Sequence, residues 1–137
     1  MASRIRKVPY FKTMVPNRAG QGARLLGALK DQGVNLLAVL GFPARGGAQL
    51  DLVPQNRAAL TKAARKAGIR LSGPKPVFLI EGSDRPGAVA AVLAKLAAAH
   101  INVVATAAAR AGGGRYGGFL WVKPGDVARA ARVLKAR

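Results

Sequence analysis

The chain has 137 residues, half of them hydrophobic, few of them aromatic, with a net charge of +18. That length suits one ordinary domain or two very small ones, and the hydrophobic share is enough to bury a core. With no cysteine, disulfides, thiol nucleophiles, cysteine-based zinc sites and iron–sulfur clusters are excluded; one histidine and five acids leave little for a metal site or a paired-carboxylate enzyme.

Residues 8–15 read as a strand, followed by the turn Pro16-Asn17-Arg18-Ala19-Gly20. Leu25, Leu26 and Leu29 then form the apolar stripe of a helix that stops at Gly33. A second strand over 34–40 and a third over 48–53 flank a glycine hairpin at Arg45-Gly46-Gly47. Asn56 is placed to cap a helix over 57–67. After Gly68, Ile69-Arg70-Leu71 fits a short closing strand, and Ser72-Gly73-Pro74-Lys75-Pro76 reads as a stiff connector.

The same order then recurs. A strand over 76–82 leads into Ser83-Asp84-Arg85-Pro86-Gly87, and Val89, Val92, Leu93 and Leu96 make one helical stripe. A strand over 101–108, a glycine turn at 111–114 and a strand over 116–122 follow. Asp126 is expected to cap a helix over 127–135, whose apolar face is Val127, Ala130, Ala131 and Leu134. The chain ends at Arg137, so the last strand of this half is expected to be missing or supplied by another segment.

The halves align in register. Arg18 and Arg85, Gly20 and Gly87, and Asn35 and Asn102 are each 67 residues apart. The offset lengthens only at the glycine hairpin, where an insertion costs little. The expected fold is therefore α+β: two ferredoxin-like βαββαβ modules, residues 1–72 and 73–137, with antiparallel sheets and helices on one face.

At these residues the sequence resembles the ACT domain. The resemblance rests on Asp84-Arg85-Pro86-Gly87, on Gly-Val-Asn-Leu from Gly33 and His-Ile-Asn-Val from His100, and on the hairpin and helix after each. It implies a free-standing tandem ACT protein, a non-catalytic regulatory sensor. Such modules bind small effectors, typically amino acids, at the turn between first strand and first helix, usually where two modules meet. The ligand-binding residues it implies are Asn17, Arg18, Gly20 and Asn35 in one half, and Asp84, Arg85, Gly87 and Asn102 in the other. It implies no cofactor and no metal; a regulated protein partner is open. Serine-binding members carry a histidine two residues before the turn asparagine, where this chain has Val15 and Gly82, so the identity of the ligand is not carried over.

The chemistry also stands without the resemblance. A glycine at a helix start leaves backbone N–H groups accessible to a carboxylate, and the helix dipole adds positive charge there. Plainer roles exist for the same residues. Gly20 and Gly87 would also permit close helix–strand packing, Asp84 would cap a helix, and Asn35 and Asn102 suit ordinary turns. His100 reads as a capping or surface residue, and Gly112-Gly113-Gly114 lacks the Gly-Lys-Ser/Thr ending of a phosphate loop.

The alternative is a basic nucleic-acid-binding protein, because the RNA recognition motif shares the ferredoxin-like order. Its stacking aromatics would be Tyr10, Phe11, Tyr116, Phe119 and Trp121. The cations are dispersed, fourteen in residues 1–75 and nine in 76–137, which is a poor footprint for a polyanion. No apolar run is long enough to span a membrane and no leader is visible, so a cytoplasmic protein is expected. Open sheet edges predict a homodimer.

Overall fold

The structure, a computed structural model, describes residues 3–137. It consists of two compact units. One is Pro9–Lys75; the other joins the segment up to Val8 with Pro76–Arg137. Two long strands, β1 (Arg4–Val15) and β4 (Ser72–Ser83), each contribute to both units.

In the 9–75 unit, β1 is followed by α1 (Gln21–Asp31), β2 (Leu36–Ala44), β3 (Gly47–Pro54) and α2 (Arg57–Ala67). The strand order is β2-β3-β1-β4. β3 pairs antiparallel with β1, with Phe11 opposite Leu52 and Val15 opposite Ala48, and with β2, with Leu36 opposite Pro54 and Pro43 opposite Ala48. Alternation along β3 sends Leu50 and Leu52 to the helical face, where they meet Phe11, Leu25, Leu29 and Leu60 in one apolar cluster. Asp51 points to the other face yet is only 7 % exposed. Asn56 caps α2 as expected: its side chain accepts from the Ala59 N–H at 2.9 Å.

The second unit repeats the plan with α3 (Ala88–Ala98), β5 (Val103–Gly112), β6 (Arg115–Val122) and α4 (Val127–Leu134). Its order is β1-β4-β6-β5, with Phe78 opposite Leu120 and Ser83 opposite Arg115. Phe78, Leu96, Leu120 and Leu134 lie in its core. Truncating a fully buried leucine such as Leu96 to alanine costs about 2–5 kcal/mol.

The segment that completes this sheet is the N-terminal part of β1, residues 4–8. Ile5 is 4 % exposed in the core, the Lys7 N–H donates to the Arg137 carbonyl at 2.9 Å, and the Arg137 N–H donates to the Ile5 carbonyl at 3.1 Å. Ser3 Oγ bonds the Tyr116 hydroxyl, and Arg4 reaches Glu81 at 3.5 Å.

Two local expectations change. Residues 69–71 are not strand; the fourth strand begins at Ser72 and runs through the Gly-Pro-Lys-Pro connector. Proline's fixed φ, and its push on the preceding residue, suit extended backbone. Asp126 does not cap α4 by hydrogen bond; it sits in a 3-10 turn, Pro124–Asp126, and pairs with Arg129 at 3.1 Å. Phe119 and Trp121 lie on the helix-free face of β6, opposite Leu120 and Val122, and meet edge-on with ring centres 5.0 Å apart.

Candidate functional site

Both strand-to-helix turns end on a glycine in the left-handed region. Gly20 has φ 87° and Gly87 φ 80°, and each is the N-cap residue of its helix. No side-chain cap bond closes either helix; the first N–H of each, of Gln21 and Ala88, donates to the Arg18 and Arg85 carbonyls at 3.3 and 3.2 Å, and the N–H groups just after it are the ones that a Ser or Asp cap would normally satisfy. A Cβ built on either glycine meets nothing within 4 Å. Close helix–strand packing is therefore not why glycine stands there; the positive φ is, and the space above it is open.

In the 9–75 unit the turn is closed by the Arg18 N–H on the Pro16 carbonyl at 2.8 Å and the Arg24 N–H on the Gly20 carbonyl at 2.9 Å. Asn17 and Arg18 are exposed and border a shallow cleft of about 220 Å³, shared with Phe42 and Pro43 at the end of β2. In the other unit the Asp84 N–H donates to the Gly114 carbonyl at 2.8 Å, which ties the turn to the β5–β6 hairpin. The Asp84 carboxylate lies 3.2 Å from Arg110 Nε on β5 rather than capping α3. Arg85 is exposed on the same turn.

Asn35 and Asn102 precede β2 and β5, at the other end of each sheet. Val15 stands opposite Ala48 and Leu36 opposite Pro54, so six residues of β3, about 20 Å of strand, separate the two sites in the 9–75 unit. Seven residues of β6, about 23 Å, do so in the other, from Arg115 opposite Ser83 to Val122 opposite Val103. Within one unit, then, Asn17 and Asn35 do not meet, nor do Asp84 and Asn102. Asn35 is engaged locally: its Nδ2 donates to Gln55 Oε1 at 2.9 Å, and the Gln55 N–H donates to the Asn35 carbonyl at 2.9 Å. Arg110 and Gln55 are the partners that sequence reading missed. Both approach across the sheet, and no local spacing announces them.

A family model for the ACT domain matches residues 77–137, which carry the Asp84–Gly87 turn, Asn102 and Arg110. Residues 77–137 are an ACT domain. Solved structures extend the likeness of fold to nearly the whole chain. A protein of Bacteroides thetaiotaomicron superposes with a TM-score of 0.79 at 18% identity, covering 97% of this chain and 88% of its own. The regulatory subunit of aspartate kinase from Thermus thermophilus, in ligand-free form, gives 0.61 at 14% identity, covering 98% and 95%. The aspartokinase alpha and beta subunits give 0.59 at 17% identity, again covering 98% and 95%. Among curated proteins none matches in sequence.

The ACT domain and the 9–75 unit thus share one architecture, with a glycine N-cap at the same place in each. Among the described residues no group of histidine and acidic side chains is placed to hold a metal, and no helix is long and apolar enough to cross a membrane.

Proposed function

We propose that the chain is a cytoplasmic, non-catalytic tandem ACT protein that senses a small effector, an amino acid, at its strand-to-helix turns. The observation that carries this reading is the pair of uncapped helix starts behind Gly20 and Gly87, each under open space. An effector carboxylate replaces the missing cap and takes the exposed N–H groups, with Arg18 or Arg85 beside it. The Asn17 side-chain oxygen, or the Asp84 carboxylate in competition with Arg110, accepts from the effector ammonium. The cleft beside Asn17 suits a ligand of that size. The regulatory role is also suggested by the aspartate kinase regulatory subunit among the similar structures.

One ligand touches a turn residue and Asn35 or Asn102 together only where a second module copy brings that asparagine up. The reading therefore joins effector binding to a homodimer, through which a signal reaches any regulated partner. The test is a thermal-shift and calorimetric screen against the twenty amino acids at low and high salt. One or a few amino acids should raise Tm at both salt concentrations, and Gly20→Val and Gly87→Val should each remove part of the response. A flat response across the panel overturns the amino-acid reading.

A second reading, a nucleic-acid surface, is favoured by one observation: Phe119 and Trp121 share the helix-free face of β6 in a chain of charge +18. It has lost two of its aromatics, since Phe11 and Tyr116 are buried in the cores. The same screen includes short RNA and DNA. A response confined to them, vanishing as salt rises and lost in Phe119→Ala, selects this reading instead.

A further inference from the structure

The cleft beside Asn17 lies on the helical face of its sheet. Val15, Ala48 and Pro43 stand in one row across β1, β3 and β2, and Leu50 shares their face, two residues further along β3. All four line the cleft, together with Gly41, where an added Cβ would meet Leu50 Cδ2 at 2.9 Å, and Gly22 in the first turn of α1. Leu50 belongs to the core of this unit and Val15 packs against it, so the floor of the cleft is apolar. Gly22, Gly41 and Ala48 leave the room above that floor, about 220 Å³. Arg18 is the charged residue of the lining, and none of the lining residues is an acid.

The ACT domain builds the same place from larger side chains. Its row equivalent to Val15, Ala48 and Pro43 is Gly82, Tyr116 and Arg110. Tyr116 therefore stands where the other unit has Ala48, and it is buried in the core. Its ring lies over Gly82, where an added Cβ would meet Tyr116 Cε1 at 3.1 Å, and its hydroxyl bonds Ser3 Oγ. The equivalent of Gly22, two residues past the N-cap glycine, is Val89, which packs against the same core. Two positions that open the cleft in one unit are thus filled in the other by a phenol ring and an isopropyl group.

We propose that the effector held at the turn of the 9–75 unit is an amino acid with an apolar side chain, and that Tyr116 and Val89 deny such a side chain to the ACT domain, leaving that turn to a smaller effector. This rests on the amino-acid reading of the turns and adds the side chain to it. The side chain lies in the cleft against Val15 and Leu50, in the room that Gly22, Gly41 and Ala48 leave. A side-chain ammonium there would lose water beside Arg18 with no acid in the lining to pair with it. A side-chain carboxylate would compete for Arg18 with the effector's own carboxylate.

The test titrates the whole protein by calorimetry with leucine against asparagine and valine against threonine, pairs of similar shape that differ in polarity, and with lysine and glutamate; backbone amide shifts are followed by NMR. The expected result is one leucine or valine site per chain, about tenfold or more tighter than the polar partner. Shifts should fall at Gly22, Gly41 and Ala48, and not at the equivalent Val89, Ala108 and Tyr116. Ala48→Tyr and Gly22→Val should each weaken this binding about tenfold or more. Gly22→Val keeps the test sound if the tyrosine disturbs the hairpin, because a Cβ at Gly22 meets nothing within 4 Å. The proposal is overturned if a polar or charged amino acid binds as tightly as leucine, if leucine shifts both units alike, or if its affinity is unchanged in both cleft variants. Where the binding seen is still lost in Gly20→Val, those outcomes leave the turn reading standing. Silence of all six amino acids also overturns the proposal, and the twenty-amino-acid screen then decides the turn reading by itself.

Discussion

His100 occupies in the ACT domain the backbone position that Gly33 occupies in the 9–75 unit. Gly33 has φ 75° and donates its N–H to the Lys30 carbonyl at 2.8 Å; His100 has φ 57° and donates to Ala97 at 2.9 Å. In both places the next N–H, of Val34 or Ile101, returns to the leucine that ends the helical core face, Leu29 or Leu96. Each helix thus closes by the same left-handed cap, and only one copy uses the residue for which that conformation is cheap. His100→Gly should raise stability by about 1 kcal/mol, and Gly33→Ala should lower it by a similar amount. Urea unfolding of both variants checks this; a destabilised His100→Gly would show that the imidazole makes a contribution beyond the cap.

Gly20 and Gly87 separate two effects that are usually entangled. Since a Cβ at either position meets open space, alanine there brings no clash, only the cost of a left-handed backbone, about 1–2 kcal/mol. Gly20→Ala and Gly87→Ala should therefore fold with native circular dichroism and a modestly lower Tm. A loss of more than about 4 kcal/mol would mean that the turns are packed rather than open.

Asp51 makes stability depend on pH in the less familiar direction. Burial raises its pKa above the ordinary 3.8, against the lowering effects of the Gln49 hydrogen bond and of Lys12 and Lys75. The folded chain then holds this proton more tightly than the unfolded chain. Its stabilising contribution is full below about pH 3.8 and is lost as pH rises through the raised folded value. Asp51→Asn keeps an oxygen for Gln49 and removes the buried charge. It should match the parent in acid and surpass it increasingly toward neutral pH. Denaturant midpoints on both sides of that window decide; a less stable Asp51→Asn at neutral pH would show that attraction to the two lysines outweighs desolvation.

What the sequence makes legible is what is local. The two stripes of leucine and valine, the Asn56 cap and the glycine turns all act within a few residues, and the 67-residue register exposes the duplication. What it hides is partnership across the sheet. Residues 4–7 are three cations around one isoleucine, with no local pattern to mark a strand, yet Ile5 packs into a core whose other members begin at Phe78. Residues 72–76 read as a connector because Gly and Pro break structure in isolation, yet they form strand here. Asp84 looks like a cap until Arg110, 26 residues on, claims it. Asn17 and Asn35 look like one site because they flank one helix, but a strand's length lies between them.

The outer strands give the proposed dimer its test. β2 is the edge of one strand order and β5 of the other. β2 carries no charged residue and exposes Leu37, Val39 and Phe42; β5 carries only Arg110 and leaves Val104 58 % exposed. In a chain of charge +18, two copies repel almost everywhere except along such uncharged edges. Natural edge strands that must stay single usually carry lysine, and these do not. Sedimentation should find a dimer at micromolar concentration, weakened little by low salt because the contact is apolar. Val39→Lys or Val104→Lys should return the chain to a monomer with unchanged secondary structure, and the variant that does so identifies the edge. A wild-type chain that sediments as a monomer up to high micromolar concentration removes the dimer. With it goes the arrangement in which one ligand meets both a turn and an asparagine of the opposite sheet end.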